Sequence, residues 1–182
     1  MTLTENMSIV GVDYSLSSPA VWTEYGGHYL TNTAKYAKQY LSSSICGEKH
    51  KPHESQMQRY CNIAQWVIEC IRKSNSHFVM IEDYSFSSTG RVFHIAENCA
   101  ILKYYLWKNY IPFDTVPPTV IKKFATGKGN ANKEKMYEAY VKETDTKLHD
   151  IITPDKTNIS NPVTDLVDAY FIQKYAKQEI SL

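Results

Sequence analysis

Short β-branched runs and longer helical periodicities alternate along this chain. Ser8 to Ser15 is apolar and β-branched, which predicts a strand. Ala20 to Tyr25 follows as its hairpin neighbour across Ser-Leu-Ser-Ser-Pro, and a Gly26-Gly27 turn leads to a third strand from His28 to about Thr31. Thr33 to Pro52 is polar and irregular, which predicts a surface loop with at most a helical turn from Ala34 to Leu41. From Glu54 to Lys73 the apolar positions Met57, Tyr60, Cys61, Ala64, Val67, Ile68 and Ile71 recur at helical spacing. His77 to Glu82 reads as a buried strand. Arg91 to Tyr110 reads as a second amphipathic helix, with Val92, Ile95, Ala96, Cys99, Leu102, Leu106 and Tyr110 on one face. Pro112 to Val116 gives a fifth strand, stopped by Pro117 and Pro118. Thr119 to Phe124 suits a short helix, and Asn132 caps another from Lys133 to about Lys142. Residues 143–160 read as polar turns. The last helix begins with Asn161 as N-cap and Pro162 at the first helical position, and runs to about Gln178.

A three-strand meander followed by α/β crossovers predicts an α/β fold with a mixed five-stranded sheet and helices on both faces. The 182 residues suit a single domain, with residues 1–6 frayed. No apolar run approaches the roughly 20 residues of a membrane span, and no N-terminal segment has the build of a signal peptide, so a cytoplasmic protein without membrane contact is the expectation. The four cysteines are scattered, three of them on apolar helix faces, as reduced core residues are. Cys46, His50 and His53 form a possible zinc set without a fourth ligand; the alternative is a polar connecting loop.

Charge changes the picture through its distribution, since the formal total is only +1. Lysines gather between Lys122 and Lys135, while Asp13 and Glu82 each close an apolar run. Asp165 and Asp168 are three apart and share one face of the last helix, near its start. Each acid has an ordinary explanation: Asp13 as a strand-end turn residue, Glu82 as a partner for a lysine, Asp165 and Asp168 as first-turn acids facing the helix dipole. The last two, however, sit among Leu-Val and Ala-Tyr-Phe-Ile, in a helix that must pack on the sheet. Carboxylates buried there want partners, and several converging ones point to a divalent cation. Magnesium takes oxygen ligands and keeps water and substrate phosphate in its shell. Two such ions activate water and stabilise the leaving oxygen of a phosphodiester.

These segments resemble the RuvC-type Holliday junction resolvases of the ribonuclease H-like superfamily. Gly11-Val-Asp13-Tyr-Ser15 is similar to the first-strand motif, Ile81-Glu82 to the fourth-strand motif, and Asp165-Leu-Val-Asp168-Ala169 to the terminal helix motif. The stretch from Val120 to Lys133 resembles the family's lysine and glycine segment, and the four agree in order from about residue 8 to 178. The resemblance implies a ribonuclease H-like fold and a metal-dependent endonuclease, usually a homodimer, that cuts four-way DNA junctions symmetrically. It implies metal binding by Asp13, Glu82, Asp165 and Asp168, using two Mg²⁺ ions with Mn²⁺ as a substitute, and catalytic roles for Lys122 and Lys133. Tyr14 and Ser15 stand where bacterial relatives often carry proline and glycine, and the 33–52 connection is long, which suggests a phage- or virus-like branch.

Further DNA contacts are expected from Tyr84 and Phe86, as aromatics able to stack on an unpaired base, and from Arg91 and Lys128 on phosphates. The Gly127-Lys128-Gly129 loop allows close approach of a phosphate but lacks the Gly-Lys-Ser/Thr of a P-loop. Three readings compete with junction resolution: a nuclease for other branched DNA, one for RNA–DNA hybrids, and a junction-binding protein without catalysis. An actin-like ATPase would need a second related domain and more phosphate loops than this length allows.

Overall fold

Strand β1 (Ile9–Asp13) organises the molecule. The structure is a computed structural model that describes residues 7–40, 43–83 and 92–180. One side of β1 pairs antiparallel with β2 (Ala20–Thr23), which pairs antiparallel with β3 (Gly26–Thr31). Its other side pairs parallel with β6 (Phe78–Glu82), followed by β7 (Phe113–Val116), also parallel. The meander and the two α/β strands are as expected. The strand count is not: among the described residues the sheet has seven strands, with β4 (Gln39–Tyr40) and β5 (Ile45–Lys49) added at one edge, in the order β4-β5-β3-β2-β1-β6-β7.

The two additional strands lie in the segment read as a surface loop. After a 3-10 turn at Ala34–Tyr36, β4 (Gln39–Tyr40) pairs with β5 (Ile45–Lys49), which runs parallel to β3. The sequence conceals β5 because its two inward positions on one face are Ile45 and Gly47. A Cβ on Gly47 would lie 2.5 Å from the Tyr29 ring, so the bulk that marks a strand comes from the neighbour. On the opposite face Glu48 accepts the Trp66 indole N–H at 3.0 Å, a polar residue held at an apolar boundary.

Side-chain alternation along β1 divides the interior. Val10, Val12 and Tyr14 enter the core beneath α1 (Gln56–Lys73) and α2 (Val92–Lys108), and Ile9 enters the opposite core. That second core is roofed by α6 (Val163–Ile180), with α3 (Pro118–Thr126), α4 (Lys133–Thr144) and α5 (Leu148–Ile152) around it. Helices therefore cover both faces, as the pattern predicts. Ser55 and Asn132 cap α1 and α4 through their side chains, accepting from Gln58 N–H and Lys135 N–H.

Three local expectations need correction. Residues 143–160 contain α5, whose five residues are too few for a readable period although Leu148 and Ile152 are buried. Helix α6 begins at Val163, so Pro162 precedes it, and the Asn161 side chain accepts the Thr164 hydroxyl instead of capping a backbone N–H. Tyr110 lies beyond α2 with a left-handed φ of 56° and is exposed. The cysteines are free thiols, with Cys70 and Cys99 buried.

Candidate active site

Period two decides where the strand-end acids project. Because Val10 and Val12 enter the α1–α2 core, Ile9, Gly11 and Asp13 fall on the α6 face; by the same alternation Val79 and Ile81 send Glu82 there as well. The parallel register pairs Val12 with Ile81, so its next step sets Asp13 beside Glu82. Helix α6 closes the group by lying almost on the backbone of β1: a Cβ added to Gly11 would stand 2.3 Å from both Ala169 O and Gln173 N. The Gln173 amide fastens the contact by donating to Ile9 O at 2.8 Å. That closeness carries Asp165 and Asp168, on the first turns of α6, to the ends of β1 and β6.

The four carboxylates act on one another. Burial, then the charges of Asp165, Glu82 and Asp168, raise the Asp13 carboxyl well above the ordinary range. Burial, aided by Asp168, pushes Glu82 up to about 8, and burial with Asp165 pushes Asp168 up to about 7. Burial raises Asp165 to about 6, against lowering by Ser18, Lys133 and Thr164. Asp13, Glu82 and Asp168 keep some surface in contact with solvent, but protein surrounds their carboxylates closely. Asp165 is the most covered of the set, at 6% exposure.

Two lysines answer part of this charge. Lys122 on α3 lowers Glu82 and Asp168; Lys133, opening α4, lowers Asp13, Asp165 and Asp168. A cavity of about 430 Å³ brings Lys122, Lys133, Glu82 and Asp168 together. Lys133 Nζ is held by Asn161 Oδ1 at 3.3 Å and lies 3.5 Å from Thr164 Oγ1. The Thr164 hydroxyl stands 2.8 Å from Asn161 Oδ1 and 3.2 Å from Asp165 Oδ1, so one network ties the lysine to the carboxylate.

Whether this set suits a divalent cation depends on its unsatisfied oxygens. Asp165 Oδ2 is buried with no hydrogen-bond partner among the described residues, and neither has the adjacent Ser18 Oγ, although that hydroxyl lowers the Asp165 pKa. Hard oxygen donors, mutual repulsion and an orphaned buried carboxylate oxygen fit a cation such as Mg²⁺. They do not form a finished cage: among the described residues no three His, Cys, Asp or Glu side chains are arranged to hold a metal ion as they stand. Magnesium takes only one or two carboxylates at many sites and completes its shell with water and phosphate. Cys46, His50 and His53 are likewise not arranged to hold an ion as they stand. Cys46 pairs in β5, and His50 Nε2 lies 3.0 Å from Ser17 O.

Repulsion of this kind has a measurable consequence. Acids that bind protons more tightly folded than unfolded stabilise the fold at low pH, and that stability drains as pH rises through the raised values. With Asp165, Asp168 and Glu82 raised to about 6, 7 and 8, the metal-free protein is expected to lose thermal stability between the ordinary carboxylate range near 4 and about pH 8. Mg²⁺ should recover the loss at pH 8 and do little at pH 5. Melting curves at both pH values, with and without the ion, check this; a melting temperature that climbs with pH in metal-free buffer would remove the repulsive cluster.

Among the other expected contacts, Lys128 is exposed in the α3–α4 loop, where its N–H bonds Thr126 Oγ1 at 3.2 Å. Tyr84, Phe86 and Arg91 lie outside the described residues. Sequence reasoning missed Ser18 and Thr164 and gave Asn161 a different task. Short polar residues in turns carry no sign of partners far along the chain, and Asn161 meets Lys133 across 28 positions.

The architecture and the acid cluster together define a ribonuclease H-like α/β fold with its strand-end carboxylates gathered under one helix. Solved structures of Holliday junction resolvases share that fold. Thermus thermophilus RuvC in complex with Holliday junction substrate matches at a TM-score of 0.63 and 15% identity, covering 96% of this chain and 98% of that one. The yeast mitochondrial resolvase Ydc2 matches at 0.55 and 11%, covering 96% and 78%. Fowlpox virus resolvase, solved with Holliday junction DNA, matches at 0.51 and 11%, covering 96% and 99%. No family model matches the sequence, and no curated protein does. Among the described residues no helix is long and apolar enough to cross a membrane.

Proposed function

We propose that this protein is a metal-dependent, structure-selective endonuclease that resolves four-way DNA junctions by paired phosphodiester hydrolysis. The observation that carries the reading is the buried group Asp13, Glu82, Asp165 and Asp168, flanked by Lys122 and Lys133, in a fold shared with resolvases solved on junction DNA.

Asp13, at the centre of the group, would contact two Mg²⁺ or Mn²⁺ ions; Glu82 and Asp168 would each hold one, and Asp165 would orient the shell. When bound, the ions supply an acidified water as nucleophile and a Lewis acid for the leaving oxygen. The protein's own part is electrostatic. Lys133, steadied by Asn161, and Lys122 on the facing helix present positive charge where the phosphate gains negative charge. The exposed Lys128 ammonium would hold a flanking phosphate. Paired cuts in a two-fold symmetric junction call for two copies of the site, hence a homodimer.

On a synthetic mobile four-way junction with Mg²⁺ or Mn²⁺, the protein is expected to leave symmetric nicks on opposing strands. Three-way, flap and RNA–DNA hybrid substrates at equal concentration should be cut more slowly. Preference for the hybrid would transfer the reading to a ribonuclease H activity, and tight junction binding without cutting in either ion would make the protein a binder.

A further inference from the structure

Between the β1–β2 connection, the end of β3 and the turn into α6 lies a small cavity of about 170 Å³. Every residue on its wall except Pro162 has a polar side chain, and none is acidic. The lysine cavity differs, with Glu82 and Asp168 among its walls. The charge here comes from the half-buried Lys156. Its ammonium is held by Ser160 Oγ at 2.9 Å and Asn161 O at 2.7 Å, 5.2 Å from the centre of the Tyr36 ring. Among the described residues no carboxylate forms an ion pair with it. Two neutral acceptors leave one of its three protons free. Ser18 is 5% exposed, and its Oγ is buried without a hydrogen-bond partner among the described residues. The Thr33 hydroxyl makes no cap bond to the 3-10 turn that follows it. Unengaged donors around a half-buried cation call for a negatively charged acceptor.

Two acids stand near the wall, and each has a lysine of its own. Asp155, which accepts the Tyr36 hydroxyl at 3.0 Å, pairs with Lys35; Asp165, beside Ser18, is answered by Lys133. Lys156 is the cation left for a ligand. Hydroxyls, the Asn32 amide and an ammonium converge from three segments, and these are the groups that proteins place on the phosphate oxygens of nucleic acids. The position suits a strand crossing the acids: Ser17 and Ser18 lie in the connection that leaves Asp13, and Asn161 holds Lys156 through its carbonyl and Lys133 through Oδ1. We infer that this cavity grips a backbone phosphate flanking the scissile one, through Lys156 with the hydroxyls of Ser18 and Thr33. That the phosphate belongs to the cut strand rests on the nuclease reading; the oxyanion chemistry comes from the wall alone.

Binding without cleavage tests it. In metal-free buffer, junctions with one uncharged methylphosphonate at each position around the crossover in turn are titrated with the wild type, Lys156→Met and Thr33→Val, with melting curves to confirm folding. Several positions should weaken wild-type binding, since several lysines meet the backbone. At one of them the loss, about tenfold for a single charge-assisted contact, should vanish in Lys156→Met and shrink in Thr33→Val, while the losses elsewhere persist. Inorganic phosphate should shift the backbone amide NMR signals of Ser18 and Thr33 in the wild type and leave them in place in Lys156→Met. If every position costs the variants what it costs the wild type, the cavity holds no strand phosphate. Amide shifts with inorganic phosphate but no such position would make it a site for free oxyanions and overturn the strand assignment. Where Lys156→Met does not fold, Thr33→Val decides by the same comparison. A protein that binds junctions and cuts none overturns the nuclease reading instead, and the binding comparison still decides the cavity; one that binds no DNA overturns both.

Discussion

Asp13→Asn is expected to abolish junction cleavage while leaving the protein folded, able to bind junctions and more stable than wild type without metal. The activity loss should reach about 10³-fold or more, because the substitution removes the carboxylate shared by both proposed metal positions, where a single lost transition-state donor costs roughly 10²–10³. Binding should hardly change, since affinity for a polyanion comes from lysine and arginine contacts to phosphate. The stability gain follows from the charges themselves. Asp13 is raised first by burial and then by Asp165, Glu82 and Asp168, so a neutral amide of the same shape relieves both desolvation and repulsion. A rise of a few degrees in melting temperature at pH 8 corresponds to about 1 kcal/mol in a domain of this size. Gel assays of cutting, band-shift titrations and melts on one preparation check the three effects together. A folded Asp13→Asn protein that still cuts, or that no longer binds, would break the division of labour between acids and lysines.

How the sequence discloses this site varies with the physics of each residue. Asp13 and Glu82 are readable because apolar strand runs that end in an acid are unusual, and period two then assigns their side. Asp165 and Asp168 are readable because three-residue spacing shares a helix face and the flanking residues are apolar. Strands β4 and β5 are not readable, since Gln39–Tyr40 is too short for a pattern and β5 relies on Gly47 beneath the Tyr29 ring. The Asn161–Thr164 network is equally silent, because its worth appears only when α4 delivers Lys133 from another part of the chain. Tyr14, noticed as a departure from related sequences, follows from its facing: it points away from the acids into the α1–α2 core, where its buried hydroxyl has no partner among the described residues.

Gly11→Ala is expected to damage stability and cleavage together, although the residue carries no functional group. The closeness of α6 to β1 is what assembles the acid group, and at Gly11 the added methyl would meet the Ala169 carbonyl oxygen and the Gln173 amide nitrogen at 2.3 Å. Both are backbone atoms of a helix fixed to β1 by the Gln173–Ile9 hydrogen bond, so no side-chain rotation gives relief. Forcing even one carbon into such a contact typically costs about 1–3 kcal/mol, and the helix must lift or slide to accept it. Either movement carries Asp165 and Asp168 away from Asp13 and Glu82, and misplacement by about 1 Å costs on the order of 10²-fold in rate. Gly127→Ala provides the control: that residue has a left-handed φ of 78° but open space around its Cβ position, so its cost should remain near the 1 kcal/mol of backbone strain. Urea unfolding of both variants, and junction cleavage of Gly11→Ala at a temperature where it is folded, separate the effects. Gly11→Ala at wild-type cleavage would mean that the acids do not depend on how closely α6 lies on β1.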